Sequence, residues 1–147
     1  MNIRSALNTG NKILIQNNIK SHKLDSELLM SKVINKNREF IILNLDNKIN
    51  KKNLQSYNKL INERSQGKPI AYILGKKYFW KYEFLVDQKV LIPRPDTEII
   101  IEQVLDIYKN KNNVNFLEVG IGSGCIGLSI LKEKKSFTAT GVDLCQD

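Results

Sequence analysis

A run of glycines between two acidic residues is the part of this sequence best suited to bind a charged ligand. A short apolar segment, residues 116–119, contains Glu118 and precedes a turn of five residues. The turn consists of Gly120, Ile121, Gly122, Ser123 and Gly124. Glycines at alternate positions let the backbone adopt positive φ and let a ligand approach main-chain N–H groups. A second apolar segment, residues 137–142, ends at Asp143. With a helix predicted over residues 125–132, these segments form a βαβ unit, which favours a nucleotide-like cofactor.

Three interpretations of this turn are open. Residues 122–127 fit G-x-G-x-x-G, the dinucleotide fingerprint, but that pattern alone is weak. In a dinucleotide site the turn would hold a doubly charged pyrophosphate, which Glu118 would repel. S-adenosyl-L-methionine instead carries a cationic ammonium and a sulfonium, which Glu118 would attract, and Asp143 would accept the ribose hydroxyls of either ligand. The third interpretation is a tight strand-to-helix turn without a ligand, and of the three we favour S-adenosyl-L-methionine.

The composition excludes several classes of protein. Hydrophobic residues make up 41% of the 147 residues, which is enough for a core. No run of about 18 uncharged apolar residues occurs, so we expect no membrane association. Cys125 and Cys145 have neither metal-ligand spacing nor a disulfide pattern, and we therefore expect a cytoplasmic protein. His22 is the only histidine, and we expect neither a histidine-based metal site nor a catalytic triad.

The net charge of +8, from 23 basic and 15 acidic residues, has two interpretations. A basic protein can bind an acidic partner such as RNA. Alternatively, a composition rich in Lys, Asn and Ile covers the whole surface with positive charge. The lysines extend from Lys12 to Lys135 without clustering, which favours the second interpretation.

The N-terminal half has helical periodicity. Asp25 is predicted to cap one helix, and Gly10 is predicted to weaken the first. Gly67 and Pro69 should end the last long helix of this part. Short amphipathic helices must pack together to bury their apolar faces, so we predict a small all-α bundle over residues 1–75.

The periodicity changes to two over the aromatic-rich residues 78–86. A polar turn at residues 87–89 precedes the apolar residues 90–92, and a β-hairpin with residues 90–92 in its second strand is the simplest prediction. We expect this hairpin in a linker, residues 76–95, followed by a third part, residues 96–147.

A proline-rich segment follows the predicted hairpin. Pro95 should push Arg94 out of the helical region and leave its side chain on a stiff, extended support. Asp96 is then predicted to cap a helix with a broad apolar stripe. The predicted fold class is therefore α+β: a helical bundle, a β-hairpin linker and the first βαβ unit of a Rossmann-like sheet.

These segments together resemble the HemK/PrmC family of release factor N5-glutamine methyltransferases. The matching segments are residues 24–29, 67–75, 78–80, 90–98, 118–124 and 141–143. The most specific is VLIPRPDTE at residues 90–98. The sequence departs from the family at Glu118, where many members carry Asp, and this change keeps the negative charge.

The resemblance implies a role for each matching residue. The residues implied to bind S-adenosyl-L-methionine are Glu118, Gly120, Ile121, Gly122, Ser123, Gly124 and Asp143. Those implied to line an interdomain cleft are Arg94, Pro95, Asp96, Thr97 and Glu98. The helical domain, residues 1–75, would recognise the substrate, and residues 96–147 would begin a class I methyltransferase domain. No metal site is implied.

The resemblance also implies the reaction, methyl transfer to the side-chain amide of a glutamine in a release factor. An amide nitrogen is a poor nucleophile, so catalysis needs acceptors that orient and polarise its NH2 group. In the family these come from an Asn-Pro-Pro-Tyr motif, which does not occur in this sequence. We therefore assign no catalytic residue and expect a monomeric N-terminal fragment that is inactive alone. Two alternatives are an adenine-N6 nucleic-acid methyltransferase and a non-enzymatic module that docks protein or RNA.

Overall fold

A computed structural model describes residues 1–144, and Cys145 therefore lies outside the described residues. The chain divides into two compact units, Met1–Leu74 and Gly75–Asp147. Helices make up the first unit, and the second combines helices with two small sheets, so the fold is of mixed α and β type. In the described part of the chain, no helix is long and apolar enough to span a membrane.

The first unit is a bundle of short helices, in agreement with its sequence periodicity. The helices are α1 (Ile3–Gln16), α2 (His22–Ile34), α3 (Arg38–Leu43), α4 (Lys51–Ser65) and α5 (Ile70–Leu74). Asn2, Asn37 and Asn50 cap α1, α3 and α4, each accepting a hydrogen bond from the N–H three residues later. The centre of the bundle is apolar, with Leu14 and Leu29 fully buried.

Helix α1 continues through Gly10, the residue that the sequence predicts to weaken it, and Gly10 allows α1 to lie close to α4. The helix is continuous through this residue, which is buried. A Cβ atom at this position would overlap the Tyr57 hydroxyl and touch Ile61. The Tyr57 hydroxyl also lies 2.6 Å from the buried Ser26 hydroxyl, and burial raises the pKa of Tyr57 to about 12.

Asp25 is not the helix cap that its position in the sequence suggests. Ser21 occupies the cap position, and Asp25 lies in the first turn of α2. The Asp25 carboxylate is buried, accepts a hydrogen bond from the Ser21 hydroxyl at 2.8 Å, and forms an ion pair with Arg64 at 2.7 Å. The ion pair with Arg64 of α4 keeps this carboxylate inside the bundle. There it accepts hydrogen bonds from side chains and not from the backbone N–H groups of the first helical turn.

The second unit begins with a β-hairpin that is shorter than predicted. Strand β1 (Lys76–Phe79) pairs antiparallel with β2 (Tyr82–Leu85) through a turn at Trp80 and Lys81. The prediction that residues 90–92 form the second strand is wrong, because the chain already reverses within the aromatic run. Because the turn has two residues, the buried side chains are odd-numbered in β1 (Phe79) and even-numbered in β2 (Phe84). The sequence alternates without a break over both strands, so it does not show this change.

A parallel βαβ unit completes the second unit, as predicted. The elements after the hairpin are a short 3₁₀ helix (Pro95–Thr97), α6 (Glu98–Ile107), β3 (Asn115–Val119), α7 (Cys125–Glu133) and β4 (Thr138–Val142). Strands β3 and β4 are parallel, with Asn115 opposite Thr138 and Val119 opposite Val142. Helix α7 crosses between them and ends one residue later than predicted.

One apolar cluster joins the hairpin to α6 and α7. Phe79 and Phe84 make an edge-to-face contact with ring centroids 6.3 Å apart, and both are buried with Ile101 and Ile130. The hairpin is therefore part of the core of the second unit. Other apolar side chains of the sheet are exposed, including Leu117 at 61% and Val119 at 76%.

Candidate functional site

The glycine turn between β3 and α7 has the backbone conformation that its sequence predicts. Gly120, Gly122 and Gly124 have φ angles of 75°, 51° and 70°, which residues other than glycine rarely adopt. A Cβ atom at Gly120 or Gly122 would have no atom within 4 Å. Because no neighbour fills this space, these two glycines are required by the backbone conformation and leave the turn open to a ligand.

The first N–H groups of the turn donate to residues at the end of β4. The Gly120 and Ile121 N–H groups donate to the Val142 carbonyl at 2.7 and 3.1 Å. The Gly122 N–H donates to the Asp143 carboxylate at 2.7 Å. The structure therefore brings Asp143 directly to the turn, and the Gly120, Ile121 and Gly122 N–H groups already have acceptors.

Glu118 lies beneath the turn and contacts the first turn of α7. Its carboxylate accepts a hydrogen bond from the Gly127 N–H at 3.0 Å, a donor that has no partner within the helix. Burial raises the pKa of Glu118, while this hydrogen bond acts in the opposite direction. A Cβ atom at Gly127 would overlap the Glu118 carboxylate, so glycine at this position lets the acid approach the helix.

The remaining residues of the turn support its shape. Ile121 lies against Gly141 of β4, where a Cβ atom would overlap its side chain. The Gly124 N–H donates to the Ile121 carbonyl at 2.8 Å, and Gly124 precedes α7 in a left-handed conformation. Ser123 is half-buried beside the buried Cys125, and burial raises the pKa of the Cys125 thiol. Cys125 is thus a core residue and not a reactive thiolate.

The proline-rich segment has the extended start that its sequence predicts. Arg94 is exposed and has φ −97° and ψ 137°, in agreement with the effect of Pro95. Asp96 does not cap α6. It lies within the 3₁₀ helix, and Thr97 occupies the cap position of α6. In the described chain, this segment makes no hydrogen bond or ion pair with the glycine turn.

Among the described residues, Glu98 is the one member of this segment whose side chain accepts a hydrogen bond from another part of the second unit. Its carboxylate accepts a hydrogen bond from the Trp80 N–H at 2.9 Å. Trp80 has a φ of 57°, so the hairpin turn is strained at a residue that is not glycine. Glu98 therefore stabilises this turn within the fold.

Glu133, a residue that the sequence patterns did not indicate, links the hairpin to α7. Its carboxylate accepts hydrogen bonds from the Trp80 indole N–H at 3.0 Å, from the Lys81 ammonium at 3.1 Å and from the Tyr82 hydroxyl at 3.1 Å. These contacts lower the pKa of Glu133, chiefly through Lys81. The sequence signal was the polar tip of each aromatic side chain, which needs a partner when the ring is partly buried.

Comparisons with known proteins place the chain among methyltransferase sequences. Residues 5–75 match the family model described as PrmC N-terminal domain. A release factor glutamine methyltransferase of Clostridium acetobutylicum is 39% identical over 147 residues, which cover 100% of this chain and 52% of the relative. A protein of the same name from Buchnera aphidicola subsp. Schizaphis graminum is 42% identical over 121 residues, 82% of this chain and 44% of the relative.

A further relative carries a different name. It is a bifunctional methyltransferase of Rickettsia bellii, 34% identical over 171 residues, which cover 99% of this chain and 31% of the relative. The chain thus spans between 31% and 52% of the length of these three relatives. Residues 5–75 therefore resemble the PrmC N-terminal domain, and the chain is similar to release factor glutamine methyltransferases over most of its length.

Proposed function

We propose that the glycine turn binds S-adenosyl-L-methionine and that the chain is part of an enzyme that methylates a glutamine side chain in a release factor. The observation that carries the proposal is the hydrogen bond from the Gly122 N–H to Asp143. This contact places a carboxylate beside the open side of the turn, with Glu118 in the strand just before it. We further propose that β3, α7 and β4 are the first part of a Rossmann-like methyltransferase sheet.

The distribution of charge and donors supports a cationic ligand over a dinucleotide. A pyrophosphate needs unoccupied N–H groups and a site without negative charge. The N–H groups of Gly120, Ile121 and Gly122 already donate to Val142 and Asp143. The acids Glu118 and Asp143 would instead attract the ammonium and sulfonium groups of S-adenosyl-L-methionine.

Each residue of the site has a proposed task. When bound, S-adenosyl-L-methionine supplies a methyl group on a positively charged sulfur. Gly120 and Gly122 leave room for the ligand against the backbone, and the Asp143 carboxylate, which can accept several hydrogen bonds, accepts from a ribose hydroxyl in addition to the Gly122 N–H. An ionised Glu118 carboxylate can accept hydrogen bonds but cannot donate one. Its proposed role is therefore to stabilise positive charge on the ligand and to fix the start of α7 through the Gly127 N–H.

The substrate is proposed from the printed names of the relatives. Two of them are named release factor glutamine methyltransferase. A glutamine amide nitrogen must be oriented by hydrogen-bond acceptors before it can attack, and no residue of this chain is assigned to that step. We propose that residues 1–75 take part in recognising the release factor, since this range includes the match to the PrmC N-terminal domain.

Calorimetric titration of the 147-residue chain tests the cofactor. S-adenosyl-L-methionine should release heat and saturate at one site, while NAD at the same concentration should give no saturable signal. Tighter binding of NAD would contradict the proposal, and so would the absence of binding by either ligand to a folded chain.

Methyl transfer is tested with a chimera. This chain replaces the aligned segment of the Clostridium acetobutylicum relative, and transfer of a labelled methyl group is measured. We expect labelling of a release factor and none when its target glutamine is changed to asparagine. A chimera that binds S-adenosyl-L-methionine but labels DNA or RNA instead would exclude the proposed substrate and leave the cofactor assignment intact.

A further inference from the structure

The net positive charge of the chain belongs to the first unit. Residues 1–74 contain 13 basic and 5 acidic side chains, whereas residues 75–147 contain 10 of each. The numbers of lysines are almost equal, 10 and 9. A lysine-rich composition therefore does not explain the difference, which comes from the small number of acids in the first unit. The lysines are thus spread over both units, whereas the net charge is not.

The few acids of the first unit are almost all used inside it. Four of the five form ion pairs. The pairs are Asp46 with Arg4, Glu27 with Arg38, Asp25 with Arg64 and Glu63 with Lys68. All three arginines of this unit are thus engaged with carboxylates. The cations that remain are lysines, and Glu39 is the one acid left to balance them.

Eight lysines of the first unit are exposed, and their side chains form no ion pair or hydrogen bond within the described residues. They are Lys12, Lys20, Lys23, Lys36, Lys48, Lys51, Lys52 and Lys59. Such a surface repels itself at low ionic strength, so it lowers the stability of the folded unit. The fold itself provides no compensation, whereas a polyanion would provide it.

Three of these lysines are close in sequence, at or just before the start of α4. Lys48 pairs with Asn2 in an isolated β-bridge, and Lys51 and Lys52 begin the helix. No acid occurs in the first turn of α4, where acids are normally favourable and cations are not. Positive charge at this end of a helix is unfavourable for its stability. This cost indicates that the three lysines serve an interaction outside the fold.

We propose that the first unit binds the phosphate backbone of single-stranded nucleic acid, with Lys48, Lys51 and Lys52 at the centre of the contact. Lysine is a mobile point charge that suits a phosphate backbone without fixed geometry. An acidic protein surface would favour arginine, whose planar group pairs with carboxylates in two places, and every arginine of the first unit is already paired. The contact should therefore be independent of base sequence. It does not depend on the proposed methyl transfer.

Fluorescence anisotropy with a labelled 20-nucleotide RNA tests this surface at several concentrations of KCl. The full chain should bind with an affinity that falls steeply as salt increases. Combined replacement Lys48→Gln, Lys51→Gln and Lys52→Gln should lower the slope of log affinity against log salt by about 2, at about 0.7 for each lost phosphate contact. This variant should melt no lower than the original chain, because cations at the start of α4 are unfavourable.

The matched control replaces three exposed lysines of the second unit, Lys109, Lys111 and Lys135, with glutamine. It removes the same charge and should leave the slope unchanged. An equal loss in the control would overturn the proposal, as would the absence of salt-dependent binding by the original chain. A DNA of the same sequence distinguishes recognition of the backbone alone, which gives equal affinity, from recognition that also uses ribose hydroxyls, which favours RNA. A polyglutamate peptide that competes as well as RNA of equal charge would assign the surface to a protein partner and overturn the proposal.

Discussion

The Asp143 carboxylate accepts a hydrogen bond from the Gly122 N–H at 2.7 Å, so the residue after β4 holds the turn after β3. The contact spans 21 residues of sequence. It forms because β3 and β4 are parallel and their carboxyl ends meet at one edge of the sheet. A glycine turn and an acid that are separate in the sequence thereby become one candidate site.

Changing Asp143 should weaken the binding of S-adenosyl-L-methionine. Asp143→Asn keeps an oxygen that can accept from the Gly122 N–H but removes the charge, and Asp143→Ala removes both. We expect about 10-fold weaker binding for the asparagine variant and a larger loss for the alanine variant, as a hydrogen bond to a charged group typically contributes. Calorimetry measures both. Asp106→Ala, which removes an exposed acid of α6, should bind normally, and equal losses in all three variants would contradict a specific role.

Binding of S-adenosyl-L-methionine should depend on the ionisation of Glu118. Burial raises the pKa of this carboxyl, so it becomes neutral at a higher pH than an exposed glutamate. Affinity should therefore fall as the pH is lowered through this raised pKa, while Glu118→Gln should bind weakly at every pH. Titrations of both proteins over a series of pH values measure the effect. If the variant keeps the same pH dependence, another group is responsible.

Glu118→Gln should also have a predictable effect on stability. When the pKa of an acid is higher in the folded than in the unfolded state, the free energy of unfolding of the protein decreases as the pH rises through the folded-state pKa. The stability of the original chain relative to the variant should therefore decrease from acidic to neutral pH. Urea unfolding at pH 4 and pH 7 measures the difference, and an opposite sign would show that the hydrogen bond with Gly127 outweighs burial.

Gly10→Ala should destabilise the first unit. Alanine normally stabilises an exposed helix position by about 0.5–1 kcal/mol relative to glycine. Here the Tyr57 hydroxyl and Ile61 occupy the space that a Cβ atom needs, so we expect a loss of about 1–3 kcal/mol from overpacking. Chemical denaturation followed by tyrosine fluorescence measures it. Asn8→Ala, at an exposed position of the same helix, should change stability by less than about 0.5 kcal/mol, and a stabilising Gly10→Ala would contradict the close packing of α1 and α4.

Glu133→Gln should weaken the attachment of the hairpin to α7, and only at neutral pH. Contacts with Lys81, Trp80 and Tyr82 lower the pKa of Glu133, so its contribution is present above the ordinary glutamate pKa and is lost as the pH falls through the lowered one. At pH 7 we expect a loss of about 1 kcal/mol, which should vanish in strong acid. Thermal melting followed by Trp80 fluorescence reports on this part. Glu102→Gln, an exposed change on α6, should have no effect at either pH.

The candidate site was predictable because its signals are local. Glycines that need positive φ, an acid at or just after the end of each strand and a helical segment between the strands all lie within residues 116–143, and a parallel βαβ unit leaves few other arrangements. The binding partners of these residues were not predictable. The sequence did not indicate that Asp143 binds the Gly122 N–H or that Glu118 binds the Gly127 N–H, because both contacts depend on how the elements pack.

The errors of prediction also have physical causes. The aromatic run of residues 78–86 alternates through a two-residue turn, and alternation alone does not show where a strand reverses. Asp25 has the sequence position of a cap, but its ion pair with Arg64 is a tertiary contact that outweighs the local preference. Gly10 resembles a helix breaker in sequence and is a packing contact in the structure.

Amide resonances of the isotope-labelled chain report on whether S-adenosyl-L-methionine binds at the glycine turn. On addition of this ligand, the Gly120 and Gly122 amide signals should shift and saturate, while the signal of Gly67, a turn glycine of the first unit, should stay in place. NAD should cause no such shift. If S-adenosyl-L-methionine at saturating concentration leaves the Gly120 and Gly122 signals unchanged, the account of this site is wrong.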